Sequence, residues 1–294
     1  MTRKTIVITG CSSGFGRCTA LALARRGWHV FATVRQEADR ESLLTEARSQ
    51  QCQENLTPLL CDIVQNDQIQ ALVCQVEELL REETGTDTPA SPRLNALLNN
   101  AGTAYGGPIE LLALDDLREQ FEINVIAHVA VTQAFLPMLK AARGTIINVS
   151  SVSGQISTPV TGAYAASKFA LEAISDALRL ELAPFGVHVV LIEPASSPTS
   201  IWQTSLERSR QRLGERWENN PYVSLLNSAE KMATRSSTSG FPPQRFADTV
   251  VKILANPRPR ARYGVPHLAT VVMLLHRFLP GGIWDRLLRL AVRW

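Results

Sequence analysis

The chain has 294 residues, is 45% hydrophobic and carries a formal charge of +3, which allows one large core or two small ones and argues against a nucleic-acid partner. The apolar run at the N-terminus breaks at Gly10 without a cleavage pattern, and no apolar run reaches the roughly 18 residues of a spanning helix. Five cysteines without metal-ligand spacing read as reduced thiols, so no metal and a cytoplasmic compartment are expected.

Lys4 to Thr9 reads as a buried strand that runs into Gly10-Cys11-Ser12-Ser13-Gly14-Phe15-Gly16, and the helical pattern that follows stops at Gly27. Glycines permit a tight turn and close backbone approach, and a helix N-terminus offers free N–H groups to phosphate oxygens. A dinucleotide-binding turn is therefore expected, with an ordinary glycine-rich turn as the alternative. Val30 to Val34 is the second strand and ends at Arg35. At this point of a doubly wound sheet an acid binds a ribose 2′-hydroxyl and an arginine accommodates a 2′-phosphate. The strand holds no acid, and Arg35 favours NADP(H) over NAD(H), against the reading of a solvated charge.

A helix is expected over 41–49, a strand over 56–61 and a helix over 66–83 with Ile69, Leu72, Val73, Val76 and Leu80 on one face. The segment 84–92 is a polar loop full of breakers. A strand over 94–99 closes on Asn99-Asn100-Ala101-Gly102, and Asp115 and Asp116 are placed to cap a long helix to about Ala141 that contains Asn124. A strand over 145–150, a helix over 163–182 and a strand over 187–192 follow, the last leading to Glu193-Pro194. Strands alternating with helices predict a parallel sheet covered on both faces.

Tyr164 and Lys168 stand four residues apart on the predicted helix, with Ser151 ahead of them. That spacing puts both side chains on one face. A phenol is a poor base at neutral pH, and a fixed positive charge nearby favours the phenolate, so the two form a candidate proton-transfer pair. Ser150 competes with Ser151 for the serine position. Gln155 to Gly162 is expected at the substrate, with Gln155 as the first contact.

Residues 196–240 show no strand pattern and are rich in Ser, Arg and Gln; they read as a substrate lid over the carboxyl ends of the strands, or as a long surface connection. Beyond Arg262 to Val265, Pro280-Gly281-Gly282 divides two apolar-basic helical segments, so 266–294 reads as a helical C-terminal extension of a domain spanning 1–265. The extension either packs on protein or makes peripheral contact with a membrane, with arginines at the headgroups and Trp284 and Trp294 as anchors.

Thr9 to Gly16, Asp62, Asn99 to Gly102, Asn124, the Ser151–Tyr164–Lys168 set and the turn begun by Pro194 occur in the order seen in the short-chain dehydrogenase/reductase family, which the chain resembles over residues 4 to 265. VFATVR and the stretch from Tyr164 to Pro194 resemble its hydroxysteroid and retinol dehydrogenases. The resemblance implies a Rossmann-type doubly wound α/β fold and transfer of a hydride between NADP(H) and an alcohol or carbonyl on a bulky apolar substrate. It implies that Gly10, Ser12, Ser13, Gly14, Phe15 and Gly16 hold the pyrophosphate, that Asp62 contacts adenine and that Asn100, Ala101 and Gly102 line the cofactor cleft. Tyr164 would be the acid/base, Lys168 would hold the nicotinamide ribose, Ser151 would orient the substrate oxygen, Asn124 would support a proton relay, and Pro194 and Thr199 would meet the nicotinamide. Ala195 departs from the glycine usual after that proline. A homodimer or homotetramer through the helices at 115–141 and 161–184 is implied. A dinucleotide-binding redox sensor without turnover is the alternative, and the intact Ser–Tyr–Lys set argues against it.

Overall fold

The computed structural model describes residues 3–84, 92–198, 201–238 and 240–292. Seven strands form one parallel sheet in the order β3-β2-β1-β4-β5-β6-β7, with β1 Thr5–Ile8, β2 His29–Val34, β3 Leu56–Leu60, β4 Ala96–Asn99, β5 Thr145–Val149, β6 His188–Pro194 and β7 Arg262–Val265. The chain reverses direction of travel across the sheet between β1 and β4, and in such a fold the crevice at that point is where ligands bind.

Because both faces are covered, the strands are apolar runs, yet their period of two still sorts side chains between two cores. Ile6, Ile8, Ala32 and Val34 face one core; Val7, Phe31, Leu97 and Ile146 face the other. The first core is closed by α1 Gly14–Ala24, α2 Glu37–Ser49 and a helix that the sequence reading passes over, Pro243–Ala255, whose Phe246, Val250 and Ile253 are fully buried. The second is closed by α3 Asn66–Thr84 and by the helical run 114–142, which supplies Val131, Phe135, Met138 and Leu139.

That run is not one regular helix. It comprises α4 Leu114–Phe121, a π-helical turn Glu122–Ile126 and α5 Ala127–Ala142. By length and composition it is apolar enough to cross a membrane, but its apolar face is committed to the core. Asp115 and Asp116 do not cap it: Ala113 is the N-cap, and the two acids sit in the first turn, with Asp116 buried. The helix expected over 41–49 begins earlier, at Glu37.

After β5 comes α6 Gly162–Leu182, and the stretch expected as a lid is helical: α7 Ile201–Leu213 and α8 Val223–Thr238 pack together around Leu213, Trp217 and Leu226. The helix Pro243–Ala255 is α9. The extension forms α10 His267–Phe278 against β7 and α11 Gly281–Val292. The polar loop expected over 84–92 falls mostly outside the described residues, as do Thr199 and Trp294.

Candidate active site

The turn after β1 is built to let something approach its backbone. Gly10 and Gly14 have φ of +71° and +57°. A Cβ on Gly16 would lie 2.3 Å from the Gly10 carbonyl oxygen and 2.5 Å from Asn100 Nδ2, so no side chain fits there. Asn100 donates through Nδ2 to the carbonyls of Thr9 and Gly10 at 2.9 and 3.0 Å, while Thr9 Oγ1 accepts from the N–H groups of Asn100 and Ala101. The ends of β1 and β4 are thereby tied together at the switch point. Ser13 is the N-cap of α1 but makes no side-chain cap bond, and the first turn has no acid. The helix start thus presents N–H groups and its positive dipole end to an anion. Phe15 contributes only backbone to this turn, since its ring stacks on Phe246 with centroids 4.3 Å apart. These features fit a dinucleotide pyrophosphate.

At the far end of β2 Arg35 is exposed, and the nearest acid, Glu37, is engaged by Arg40 at 3.3 Å. Asp62, half-buried past β3, accepts from the N–H of Val64 at 3.2 Å.

Tyr164 and Lys168 are both buried on α6. The ammonium lies 5.8 Å from the phenol ring centre and donates to the Val149 carbonyl at 2.8 Å. Burial pushes the Tyr164 phenol up to about 12, against the pull of its hydrogen-bonding partner Ser151. Burial brings Lys168 down to about 8, against the charge of Glu172. Burial of Tyr164 outweighs its hydrogen bond with Ser151, so the phenol keeps its proton at neutral pH and Tyr164 is placed to be a proton donor.

The two candidate serines face opposite ways, as adjacent residues leaving a strand do. Ser150 is buried beneath Gly154, where a Cβ would come within 2.6 Å of its hydroxyl. Ser151 is turned to Tyr164 and accepts from the N–H of Ser153 at 3.0 Å.

Asn124 sits in the π-helical turn with both ends of its amide used: Oδ1 accepts from the N–H of Thr103 at 2.9 Å, and Nδ2 donates to the Thr103 carbonyl at 3.0 Å and to Ser167 Oγ at 3.1 Å. It holds the Gly102–Thr103 bend against α6. A Cβ on Gly102 would stand 3.3 Å from Asn124 Oδ1 and 3.9 Å from Lys168 Nζ. One turn further, His128 bonds the Ala101 carbonyl through Nε2 at 2.6 Å, and burial, with Lys168 nearby, holds it down to about 3 as a neutral ring. Pro194 ends β6 with its carbonyl 3.5 Å from Ser151 Oγ, and Ala195 avoids positive φ while donating to the Val265 carbonyl, so the missing glycine causes no strain.

The half-buried Gln155 donates through its amide nitrogen to Glu172 Oε2 and Glu193 Oε1, each at 3.3 Å, and so ties the turn after Ser151 to α6 and β6.

Residues of α7 that the sequence reading does not single out pack against the front of this arrangement. Trp202 meets the Tyr164 ring edge-on, with centroids 5.2 Å apart. Arg208 donates to Thr103 Oγ1 at 2.8 Å, Ser209 to the Gly106 carbonyl at 2.6 Å, and Arg212 pairs with Asp116 at 2.7 Å. A cavity of about 300 Å³ lies beside these latches, lined by Tyr105, Asp116, Arg208, Gln211 and Arg212 and by none of Ser151, Tyr164 and Lys168.

A family model described as short chain dehydrogenase matches residues 4–210. Mouse retinol dehydrogenase 5 is 33% identical over 293 residues, covering 96% of this chain and 87% of its own length. An NADPH-dependent 3-dehydrocapnine reductase of Ornithobacterium rhinotracheale is 29% identical over 286 residues, covering 96% and 94%. A short-chain dehydrogenase structure from Streptomyces avermitilis superposes with a TM-score of 0.75 at 24% identity over 97% of this chain and 95% of that one, a likeness of fold.

Proposed function

Because the chain belongs to the short-chain dehydrogenase family of NAD(P)-dependent oxidoreductases, we propose that it interconverts an alcohol and a carbonyl on a bulky apolar skeleton, using NADP(H) in preference to NAD(H). The observation that carries the reading is the buried Tyr164 phenol, protonated at neutral pH, with Ser151 as its hydrogen-bonding partner and the Lys168 ammonium 5.8 Å from its ring centre. The nicotinamide, when bound, supplies or takes the hydride.

In reduction, Tyr164 gives its proton to the carbonyl oxygen while the Ser151 hydroxyl donates to the same oxygen and stabilises the charge that develops there. Lys168 holds the ribose and, by its charge, eases loss of the phenolic proton. Asn124 keeps the Gly102–Thr103 bend beside Lys168 and supports proton return from solvent. The glycine turn, Asn100, Ala101 and Gly102 hold the pyrophosphate side, Asp62 the adenine, and Pro194 and Thr199 the nicotinamide. Trp202 and the lid, 196–240, keep water from the reacting carbon.

The NADP(H) preference is supported by exposed Arg35, by the absence of an acid in β2 and by the pairing of Glu37 with Arg40; one relative is named as NADPH-dependent. The apolar substrate is supported by Trp202 over Tyr164 and by a relative named a retinol dehydrogenase. Free thiols at all five cysteines accord with a reducing, cytoplasmic compartment. The 1–265 unit would carry the chemistry and 266–294 the extension. Exposed Phe169 and Leu180 on α6 support a homodimer or homotetramer. On α10 and α11, Leu268, Leu275, Phe278 and Leu290 are each more than half exposed, near Arg277, Arg286 and Arg289, a pattern that supports peripheral contact with an anionic membrane.

The test is consumption of NADPH, then NADH, with steroid ketones, retinal, long-chain aldehydes and small ketones. Turnover confined to the apolar members and faster with NADPH is expected; turnover of none of them defeats the proposal. Liposome co-sedimentation that is equal with and without 266–294 defeats the membrane contact.

A further inference from the structure

The backbone groups of Ala101 and Thr103, just past β4, are all engaged. The Ala101 N–H donates to Thr9 Oγ1 at 3.0 Å, and the Ala101 carbonyl accepts from His128 Nε2 at 2.6 Å. The Thr103 N–H donates to Asn124 Oδ1 at 2.9 Å, while its carbonyl accepts from Asn124 Nδ2 at 3.0 Å and Gln120 Nε2 at 2.9 Å. Between them stands Gly102, which is exposed and whose N–H donates to no group among the described residues. A backbone donor left over where its neighbours are all paired is free for solvent or a ligand.

His128 lies in the first turn of α5, four residues beyond Asn124, and is 1% exposed. A carbonyl only accepts, so the proton is on Nε2; Nδ1 is then a buried acceptor, and it has no partner. The ring is neutral, held so by burial. An apolar side chain in this place avoids the cost of an unpaired buried nitrogen, so the fold alone gives little reason for a histidine. The one bond the ring makes falls on the peptide that joins Ala101 to Gly102. That peptide is trans, so its N–H points opposite to its carbonyl. Holding the carbonyl at α5 therefore turns the Gly102 N–H away from α5. Among the described residues no second donor holds that carbonyl. Flipping the peptide demands a positive φ at residue 102, which glycine admits and which Gly102 does not adopt here.

We propose that His128 is a positioning residue for the cofactor: it fixes the 101–102 peptide so that the Gly102 N–H is a standing donor, beside Lys168, to a hydroxyl oxygen of the nicotinamide ribose. The two groups share one place in the cleft, since a Cβ on Gly102 would lie 3.9 Å from Lys168 Nζ. Without the imidazole the peptide flips and offers an acceptor where the hydroxyl needs a donor. This rests on the reading of Lys168 and of Asn100 to Gly102 as walls of the cofactor cleft.

The experiment is isothermal titration of wild type, His128→Leu, His128→Asn and His128→Gln with NADPH and, separately, with adenosine 2′,5′-bisphosphate, which has the adenosine end and no nicotinamide ribose. Circular dichroism verifies folding. Glutamine carries an amide donor about as far from its Cα as Nε2, whereas asparagine ends where Nδ1 does. NADPH affinity is expected to fall about ten-fold in the leucine and asparagine variants, the scale of one lost hydrogen bond, and to return to within about three-fold of wild type in His128→Gln. Bisphosphate affinity should be the same in all four proteins. His128→Asn, which keeps the place polar, carries the same expectation should the leucine variant not fold. Unchanged NADPH affinity in the leucine and asparagine variants, a glutamine variant as weak as they are, or bisphosphate affinity that falls in step with NADPH overturns the proposal. Each of these leaves the proposed function standing. A wild type that binds neither NADPH nor NADH defeats that function, and this role of His128 with it.

Discussion

The indole of Trp202 stands edge-on against the phenol of Tyr164, with ring centroids 5.2 Å apart and planes at 72°. Trp202 is on α7 and Tyr164 on α6, so the contact joins the segment proposed as a lid to the phenol proposed to move the proton. The rest of α7 is latched behind it by Arg208 on Thr103 and Arg212 on Asp116.

Trp202→Ala removes this cover without touching the cofactor turn. The KM for an apolar carbonyl should rise roughly ten-fold, the equivalent of about 1.4 kcal/mol, while NADPH affinity stays unchanged. Steady-state kinetics beside a cofactor titration separates the two.

Gly16→Ala forces a Cβ to within 2.3 Å of the Gly10 carbonyl oxygen. Backbone has to shift, at a cost of about 1–3 kcal/mol, and the shifted turn should bind NADPH at least ten-fold more weakly. Chemical denaturation and cofactor fluorescence read the two effects.

Arg35→Asp replaces the exposed cation at the end of β2 with an acid that repels a 2′-phosphate and suits a 2′-hydroxyl. The ratio of kcat/KM for NADPH over NADH should fall at least ten-fold. An unchanged ratio would place discrimination elsewhere.

The buried Glu193 makes stability depend on pH. Its folded pKa, about 7, is raised above the ordinary glutamate value of 4.5, so the folded chain holds the proton longer; the associated stability is full below pH 4.5 and is lost as pH rises through 7. His128, held down to about 3, runs the other way: its contribution is full above the ordinary histidine range and is lost on acidification. Comparison with Glu193→Gln isolates the first effect. The variant should gain on the order of 1–3 kcal/mol over wild type between pH 5 and 8, measured by denaturant unfolding at both pH values.

Much of the sheet is legible in the sequence because a strand buried on both faces must be an apolar run, and KTIVIT, ALLN and HVVLI are such runs. The site is legible for a related reason: in this architecture the chemistry collects at strand ends, and Gly10, Asn100, Ser151 and Pro194 each follow a recognisable strand. The lid is less so. Helix α7 gives only Leu206 and Leu213 to its small apolar cluster and is otherwise held by ion pairs and hydrogen bonds to Thr103, Gly106 and Asp116, which leaves a weak apolar period. Helix α9 does carry one, in Phe246, Ala247, Val250 and Ile253, and that signal suffices to find it. The π-helical turn under Asn124 is a shift of hydrogen-bond register with no spelling in side chains. Glu172, Glu193, Gln155 and Arg262 come from four separate stretches and meet only because β5, β6 and β7 are neighbours.

In the proposed mechanism Tyr164 carries the proton while Lys168 and the glycine turn hold the cofactor. Tyr164→Phe, with NADPH affinity and carbonyl reduction measured on the same preparation, tests it most directly. NADPH binding within about two-fold of wild type is expected, with turnover reduced by at least ~100-fold, the scale of a lost general acid. Turnover that survives the substitution would contradict it.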